Sequence, residues 1–398
     1  MKKKTITTKD IPLKSKRVFL RVDFNVPQDD KLEITDDTRI RASLPTIRYL
    51  LEEGARVVCA SHLGRPKGEK DPEFSMKPVA VRLSELLGQD VRFIDDVVGP
   101  NVDAMKKGLK DGEILLLDNL RFYKGETKND EKFAAELAKD IDVYIDDAFG
   151  ASHRAHASIQ KITEFVPVSA AGFLLQKEIE FLSLATDNPP KNYTVILGGA
   201  KVSDKLPIIS NLMLKAQKIL IGGAMAYTFL KAKGIKVGMS LVENDHIDTC
   251  KDIMKKAEEK DVRLLLPIDH VAAVNMEPEV TISMIKRGQD IPDHMMGLDI
   301  GFDTIDLYCK EIKDAELIVW NGPMGVFEVE NFSAGTIELA KAIAESKATT
   351  IIGGGDSVSA VNIAGVTNKI SHISTGGGAS LEFLSGLKLP GIESLSEA

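Results

Sequence analysis

The sequence predicts an α/β protein built in two halves, and three observations carry that prediction. Short apolar runs end in polar or glycine-rich residues and are followed by stretches of helical periodicity. Most of these runs are aliphatic throughout rather than alternating, as strands of a parallel sheet are when helices cover both faces. One break, Thr186-Asp-Asn-Pro-Pro-Lys-Asn192, interrupts the pattern near its middle. Tandem prolines cannot extend a helix.

In chain order, candidate strands cover residues 18–22, 57–60, 114–117 and 143–145 of the first half. Between them, Ile40, Leu44, Ile47 and Leu51 mark one apolar helical stripe, and Leu83, Leu86 and Leu87 another. Residues 66–78 (PKGEKDPEFSMKP) read as a polar surface loop. Residues 173–185 read as an amphipathic helix stopped by the prolines, and strand signals resume at Thr194, so a boundary falls near 185–192. The second half offers strands at 195–197, 219–221, 264–266, 317–319 and 350–352. Alternation of strand and helix without a long all-β block is the α/β pattern.

Composition narrows the function classes. A chain of 398 residues is long enough for two or three domains with sizeable cores. Its 43% hydrophobic and 28% charged residues argue against disorder, collagen and coiled coil. Lys plus Arg number 51 against 59 Asp plus Glu, a net charge of −8. That weighs against a general nucleic-acid or anionic-membrane binder but leaves room for a local basic pocket. Cys59, Cys250 and Cys309 show no CxxC or zinc spacing, so a reducing compartment is expected. No apolar run approaches the roughly 20 residues that span a bilayer. The lysines at the start have no apolar stretch behind them, unlike a secretory signal. A cytoplasmic protein is expected.

Open parallel sheets bind ligands beyond the carboxyl ends of their strands, and there the two halves differ. The first half ends its strands in charged segments: Arg21-Val-Asp23-Phe-Asn25, Ser61-His62-Leu-Gly64-Arg65-Pro66, Asp118-Asn119-Leu-Arg121-Phe122, and Asp146-Asp147 leading to Ser152-His153-Arg154-Ala-His156. Arg39 follows Asp36-Asp37 at the start of the Ile40 helix, where a cation opposes the macrodipole. A bound anion would reverse that penalty. Arg39, Arg65, Arg121 and Arg154, if they converge, form forks suited to carboxylate and phosphate. Any one of them alone reads equally well as half of a surface ion pair. His62, beside Gly64 and Arg65, is a further candidate anion contact. His153 and His156 lack a third metal-ligand motif, so hydrogen-bonding or structural roles are expected. Cys59 and Trp320 read as packing residues.

The second half ends its strands in glycines: Gly198-Gly199-Ala-Lys201, Gly222-Gly223-Ala224, Asn321-Gly322-Pro-Met-Gly325, Gly353-Gly-Gly355-Asp356-Ser357 and Thr375-Gly-Gly-Gly378-Ala-Ser380. Glycine lets backbone N–H groups approach a phosphate, and a following helix N-terminus attracts it. One such turn is weak, because αβ packing also uses glycine. Lys201 and Lys205 are expected at i and i+4 just inside a helix, a repulsive pair that a polyphosphate would stabilise. Neither GxxxxGK[ST] nor GxGxxG occurs, which excludes a P-loop and lowers the dinucleotide reading. An arginine-rich half for a small anion, and a glycine-rich half with lysines and an acidic residue for a polyphosphate, suit phosphoryl transfer.

These segments, in this order and over nearly the whole chain, resemble phosphoglycerate kinases. Arg21–Pro27, Ser61–Pro66, Asn119–Phe122, His153–Ser158, Leu197–Val202, Asn321–Pro323, Gly353–Asp356 and Thr375–Ser380 carry the resemblance. Ala224 stands where the family often has glycine, and Ser357 where threonine is common. The resemblance implies two Rossmann-like lobes, each a mainly parallel sheet flanked by helices, joined by an interdomain helix and hinge. It implies an N-terminal domain at 1–172, an interdomain helix at 173–188, a nucleotide domain at 189–375, and a segment 376–398 returning to the first domain. It further implies magnesium-dependent phosphoryl transfer between ATP and the carboxyl of 3-phosphoglycerate, with 1,3-bisphosphoglycerate and ADP on the other side. By the family pattern, Asp23, Asn25, Arg39, His62, Arg65, Arg121 and Arg154 would hold the phosphoglycerate. Lys205, Glu328, Asp356 and Ser357 would hold the nucleotide, with Glu328 on the ribose and Asp356 oriented to magnesium. Gly297, Leu298 and Gly355 would line the nucleotide pocket. Arg39 and Lys201 would stabilise the phosphoryl group in flight. A monomer without nucleic-acid or membrane partners is implied.

Two other readings stand beside this one. A catalytically silent nucleotide-binding scaffold is disfavoured by the presence of both Arg39 and Lys201. A kinase for acetate or carbamate would leave four arginines in excess, since those substrates carry no second phosphate. Domain closure would exclude water from an acyl phosphate, and an acceptor that is already a carboxylate needs neither a strong general base nor a phospho-enzyme.

Overall fold

The aliphatic runs of the first half become the middle of one parallel sheet. Its strands are β1 (Arg17–Val22), β2 (Arg56–Ala60), β3 (Val91–Ile94), β4 (Ile114–Leu117), β5 (Val143–Asp147) and β6 (Val168–Ala171), in the order β3-β4-β2-β1-β5-β6. Every pairing is parallel. The helix Thr38–Glu52 turns Ile40, Ile47 and Leu50 into the core, and the helix Lys77–Leu87 adds Val79, Ala80 and Leu83. Cys59 is buried in the same cluster, as its apolar setting requires. The polar loop expected at 66–78 is less uniform. A short turn, Pro72–Phe74, interrupts it, Met76 is fully buried, and the helix Lys77–Leu87 begins before its end.

The computed structural model describes residues 3–187 and 189–398. The chain divides into two units, Met1–Glu180 with Lys388–Ala398, and Phe181–Leu387. In the second unit, β7 (Tyr193–Leu197), β8 (Lys218–Ile221) and β9 (Arg263–Leu265) precede β10 (His270–Ala273), β11 (Ser283–Ile285) and β12 (Met296–Ile300). β13 (Leu317–Asn321), β14 (Thr349–Gly353) and β15 (His372–Ile373) follow. Six of these form a parallel sheet ordered β15-β14-β13-β7-β8-β9, and β11-β10-β12 form a small antiparallel sheet. Leaving the small sheet aside, the large one has the strand order 3-2-1-4-5-6 of dinucleotide-binding folds. Trp320 lies within β13, fully buried, its Nε1–H donating to Gly322 O at 2.8 Å, so it is the packing residue expected.

The boundaries differ from those the sequence suggests. The helix Phe173–Thr186 crosses the division rather than standing outside both units. Phe173 meets Tyr49 of the first unit at 5.2 Å between ring centroids, whereas Phe181 stacks on His372 of the second at 4.6 Å. The proline break follows the helix, and Asn188 within it lies outside the described residues. The return to the first unit starts at Lys388 rather than 376. The helix Gly378–Leu384 stays with the second unit, where Asn211 Nδ2 donates to Leu384 O at 2.7 Å.

Candidate active site

In each large sheet the chain reverses its direction of winding beside the first strand, between β1 and β5 and between β7 and β13. Crevices at such points, beyond the carboxyl ends of the strands, are where ligands bind in open α/β sheets. The site residues of the first unit lie on loops that polar side chains lock together. Ser61 Oγ accepts Phe24 N–H at 2.8 Å, Asn25 Oδ1 accepts Gly64 N–H at 2.8 Å, and Asn119 Nδ2 donates to Leu63 O at 2.6 Å. Asn25 thus fixes the loop after β2, whatever else it touches.

On this frame the cations gather. Arg39 Nη1 donates to Asp23 Oδ2 at 2.7 Å, and Arg121 Nη1 donates to Gly64 O at 2.8 Å. Burial, then the neighbouring Arg21 and Arg154, push the Arg121 guanidinium down to about 10. Its Nε is buried without a partner. His62 is buried, and burial with Arg21, Arg121 and Arg39 nearby holds its imidazole well below the usual histidine range, hence neutral. Arg154 joins through Arg121 and through His153, whose Nε2 accepts its Nε–H at 3.1 Å. Arg65 is exposed on the loop one residue past Gly64. Arg121, depressed by burial and by the arginines around it and holding an orphaned donor, has the electrostatics expected where an anion binds.

Three residues that build this site were given no role in the sequence reading, although Arg21 and Ser158 lie in segments it picked out. Arg21 is fully buried, with Nε donating to Ser158 Oγ at 2.9 Å and Nη1 to the carbonyl of Val22. Ser158 and Glu126 complete its support. Inside an aliphatic strand Arg21 gives no signal beyond being a charge where none should be buried. His156 is buried, and burial with the surrounding arginines pushes it down to about 3, which fits the structural role expected of it.

In the second unit the glycine loops pack on one another. Gly198 N–H donates to Asn321 O and Gly199 N–H to Pro323 O, both at 3.0 Å. Gly322 has φ +97°, and a Cβ there would lie 2.2 Å from Gly198 O. Several of these glycines therefore serve loop contact, not phosphate approach. Gly199, Gly355 and Gly377 are open, with nothing within 4 Å of an added Cβ. Ala224 has φ −63°, so no glycine is required there.

Lys201 and Lys205 do not share a helix. The helix runs Leu206–Leu212, with Pro207 in its first turn, so Lys201 is exposed in the preceding turn and Lys205 sits at the cap. Lys205 Nζ instead donates to Asn321 Oδ1. Burial lowers the Lys205 ammonium, against the attraction of Asp204 and Asp356. Ser357 Oγ, fully buried, accepts Gly322 N–H at 2.6 Å, and Asn321 Nδ2 is buried without a partner. Lys205, Asn321, Gly322 and Gly353–Ser357 thus meet at one corner. Gly297 and Leu298 lie on β12, where a Cβ at Gly297 would strike Tyr227 Oη at 2.0 Å. Val326 N–H donates to Leu298 O at 2.9 Å, bringing the loop that carries exposed Glu328 beside β12. Among the described residues, no helix is long and apolar enough to cross a membrane.

A chain that carries an arginine-lined anion site on one α/β unit and a lysine and helix-start corner on the other belongs to the kinases of small anionic substrates. The family model for phosphoglycerate kinase matches residues 8–387, and the chain belongs to the phosphoglycerate kinase family. It is 56% identical to the phosphoglycerate kinase of Thermosipho africanus over 394 residues, covering 98% of each chain. It is 54% identical to that of Clostridium botulinum strain Eklund 17B, covering 99% of each. The solved structure of the Coxiella burnetii phosphoglycerate kinase superposes with a TM-score of 0.90 at 40% identity, covering 97% of each chain. That from Pyrococcus horikoshii OT3 gives 0.83 at 35%, covering 98% of each.

Proposed function

We infer that the chain transfers a phosphoryl group reversibly between ATP and the carboxyl of 3-phosphoglycerate, the glycolytic reaction of its family. The observation that carries the residue assignment is Arg121, depressed by burial and by Arg21 and Arg154, and holding a buried, unpartnered Nε. A phosphate ester seated there would satisfy that donor and relieve the repulsion. Asp23, Asn25, Arg39, His62, Arg65, Arg121 and Arg154 hold the phosphoglycerate in this reading. Lys205, Gly355, Asp356 and Ser357 hold the nucleotide phosphates, with Gly297, Leu298 and Glu328 around base and ribose.

The acceptor carboxylate is already the nucleophile, so transfer is a direct in-line displacement without a covalent phospho-enzyme. Arg39 and Lys201 neutralise charge on the transferring group. Ser357 fixes Gly322 and Lys205 is held by Asn321, which keeps that corner set before substrate arrives. Asp356 is exposed at the start of the helix Gly355–Ile363, and no cluster of three or more acidic, histidine or cysteine ligands exists among the described residues. One carboxylate beside substrate phosphates fits magnesium, which keeps several waters and needs no protein cage. Asp356 would hold it, and the ion would supply charge neutralisation on the nucleotide. A monomeric cytoplasmic enzyme acting on small molecules belongs to the same reading.

A coupled assay with MgATP tests it, with 3-phosphoglycerate, acetate and carbamate offered in parallel. Turnover with 3-phosphoglycerate alone is the expected result. Turnover with acetate or carbamate, or nucleotide binding without turnover, overturns it.

A further inference from the structure

Beneath the cations of the first unit lies a buried relay. Glu126, fully buried in the short helix Lys124–Thr127, accepts Ser158 Oγ–H on Oε1 at 2.7 Å and Ser158 N–H on Oε2 at 2.9 Å. With its hydroxyl hydrogen committed to Glu126, Ser158 Oγ has only lone pairs left, and it accepts Arg21 Nε–H at 2.9 Å. Arg21 Nη1 donates to Val22 O, and Nη2 stands 3.2 Å from His62 Nδ1. Guanidinium has no acceptor, so the hydrogen in that contact is on Arg21 and His62 Nδ1 must be bare. The rival partner of Nδ1, Asp23 Oδ1, stands at 3.9 Å, beyond hydrogen-bond distance. A hydrogen on Nδ1 would instead point at an arginine N–H.

We propose that Glu126 is a positioning residue that acts through Ser158 and Arg21 to lock His62 in the tautomer with its proton on Nε2, so that the ring can offer the substrate a donor only. This rests on the functional reading above solely for the identity of the substrate. Glutamine at 126 has one acceptor for the two Ser158 donors, and its amide N–H₂ faces one of them. Alanine at 158 removes the hydroxyl link yet keeps the backbone bond to Glu126. Both changes release Arg21 Nε and with it the orientation of Nη2.

The test is nitrogen-detected long-range NMR of the full chain labelled at histidine, with His62 assigned by His62→Gln. In the unliganded wild type we expect bare Nδ1 and protonated Nε2. In Glu126→Gln and Ser158→Ala we expect mixed tautomers at His62. The KM for 3-phosphoglycerate should rise about tenfold, the loss of one charge-assisted bond, while the KM for ATP stays put. A wild-type His62 protonated on Nδ1 overturns the proposal. So do folded variants that keep both the wild-type tautomer and the wild-type KM. Should the chain fail to turn over 3-phosphoglycerate, the functional reading falls, and the tautomer still decides the relay.

Discussion

Arg39 is tied to Asp23 by one bond of 2.7 Å, and its side chain is 37% exposed. An ion pair so open to water stabilises a fold by at most about 1 kcal/mol. Its removal is therefore a clean probe of chemistry. Arg39→Ala is expected to lower kcat by on the order of a thousandfold, the cost of one preorganised charge on the transition state. The melting midpoint should move by no more than about 3 °C. Steady-state kinetics beside a thermal scan check it, and a loss confined to KM would remove Arg39 from the transition state. Asp23, His62 and Arg121 drew notice as polar residues in loops that follow aliphatic strands, and Arg39 as a cation in a first helical turn. Arg21 was given no role, since its partners Ser158 and Glu126 lie more than a hundred positions away and only folding brings them together. The Lys201–Lys205 pair was misread for a local reason, as Pro207 fixes the helix start one residue after Lys205.

Elements followed the same division between local and distant causes. Every strand expected from an aliphatic run is present, because burial on both faces imposes that composition. The strands that escaped notice are edges or lie outside the large sheets. β3 is an edge strand with half-exposed Arg92 and Phe93, β6 is an edge of small residues, and β10–β12 form the antiparallel sheet. The helix Phe173–Thr186 was legible from its periodicity, but its anchor was not. Asp147, at the end of β5, accepts Leu174 N–H at 2.8 Å and Leu175 N–H at 3.3 Å on Oδ1, and its Oδ2 is buried without a partner. Burial pushes Asp147 up to about 7 and its neighbour Asp146 up to about 6, in each case against hydrogen bonds that favour the anion. The folded state thus holds these protons more tightly than the unfolded chain, where a carboxyl titrates near 3.8. That contribution to stability is complete below pH ~4 and is lost as pH rises through about 7. Asp147→Asn keeps an acceptor for the helix N–H groups and cannot ionise. Its stability should fall less between about pH 5 and pH 8 than that of the wild type, by roughly 2 kcal/mol. Urea unfolding followed by circular dichroism at the two pH values decides this, and parallel losses in both proteins would show that Asp147 is not the titrating group.

At the scale of the molecule, the first unit is not one continuous stretch of chain, a return that the family resemblance implied but that the residues themselves did not signal. The last eleven residues, Lys388–Ala398, follow the second unit in sequence but are grouped with the first. Leu389, Ile392 and Leu395 are 2%, 8% and 3% exposed. Gly391 N–H donates to Ser152 O at 2.9 Å, Ser396 N–H to Ser169 Oγ at 3.0 Å, and Lys3 Nζ to Glu393 O at 2.8 Å. Nothing in LPGIESLSEA advertises this, since Leu389, Ile392 and Leu395 among polar residues look like any exposed end. Burying each of the three contributes about 1.5–3 kcal/mol, so their loss should be felt as several kcal/mol in the unit that binds them. Deleting 388–398 is therefore expected to speed hydrogen exchange of amides in β5 and β6 and to leave β7, β13 and β14 protected. Because Ser152 lies two residues before Arg154, the KM for 3-phosphoglycerate should rise while that for ATP does not. Exchange mass spectrometry on the truncated chain distinguishes the cases. Equal loss of protection in both units, or loss confined to Phe181–Leu387, would mean that the tail's hydrogen bonds and apolar contacts with the first unit are not what stabilise it.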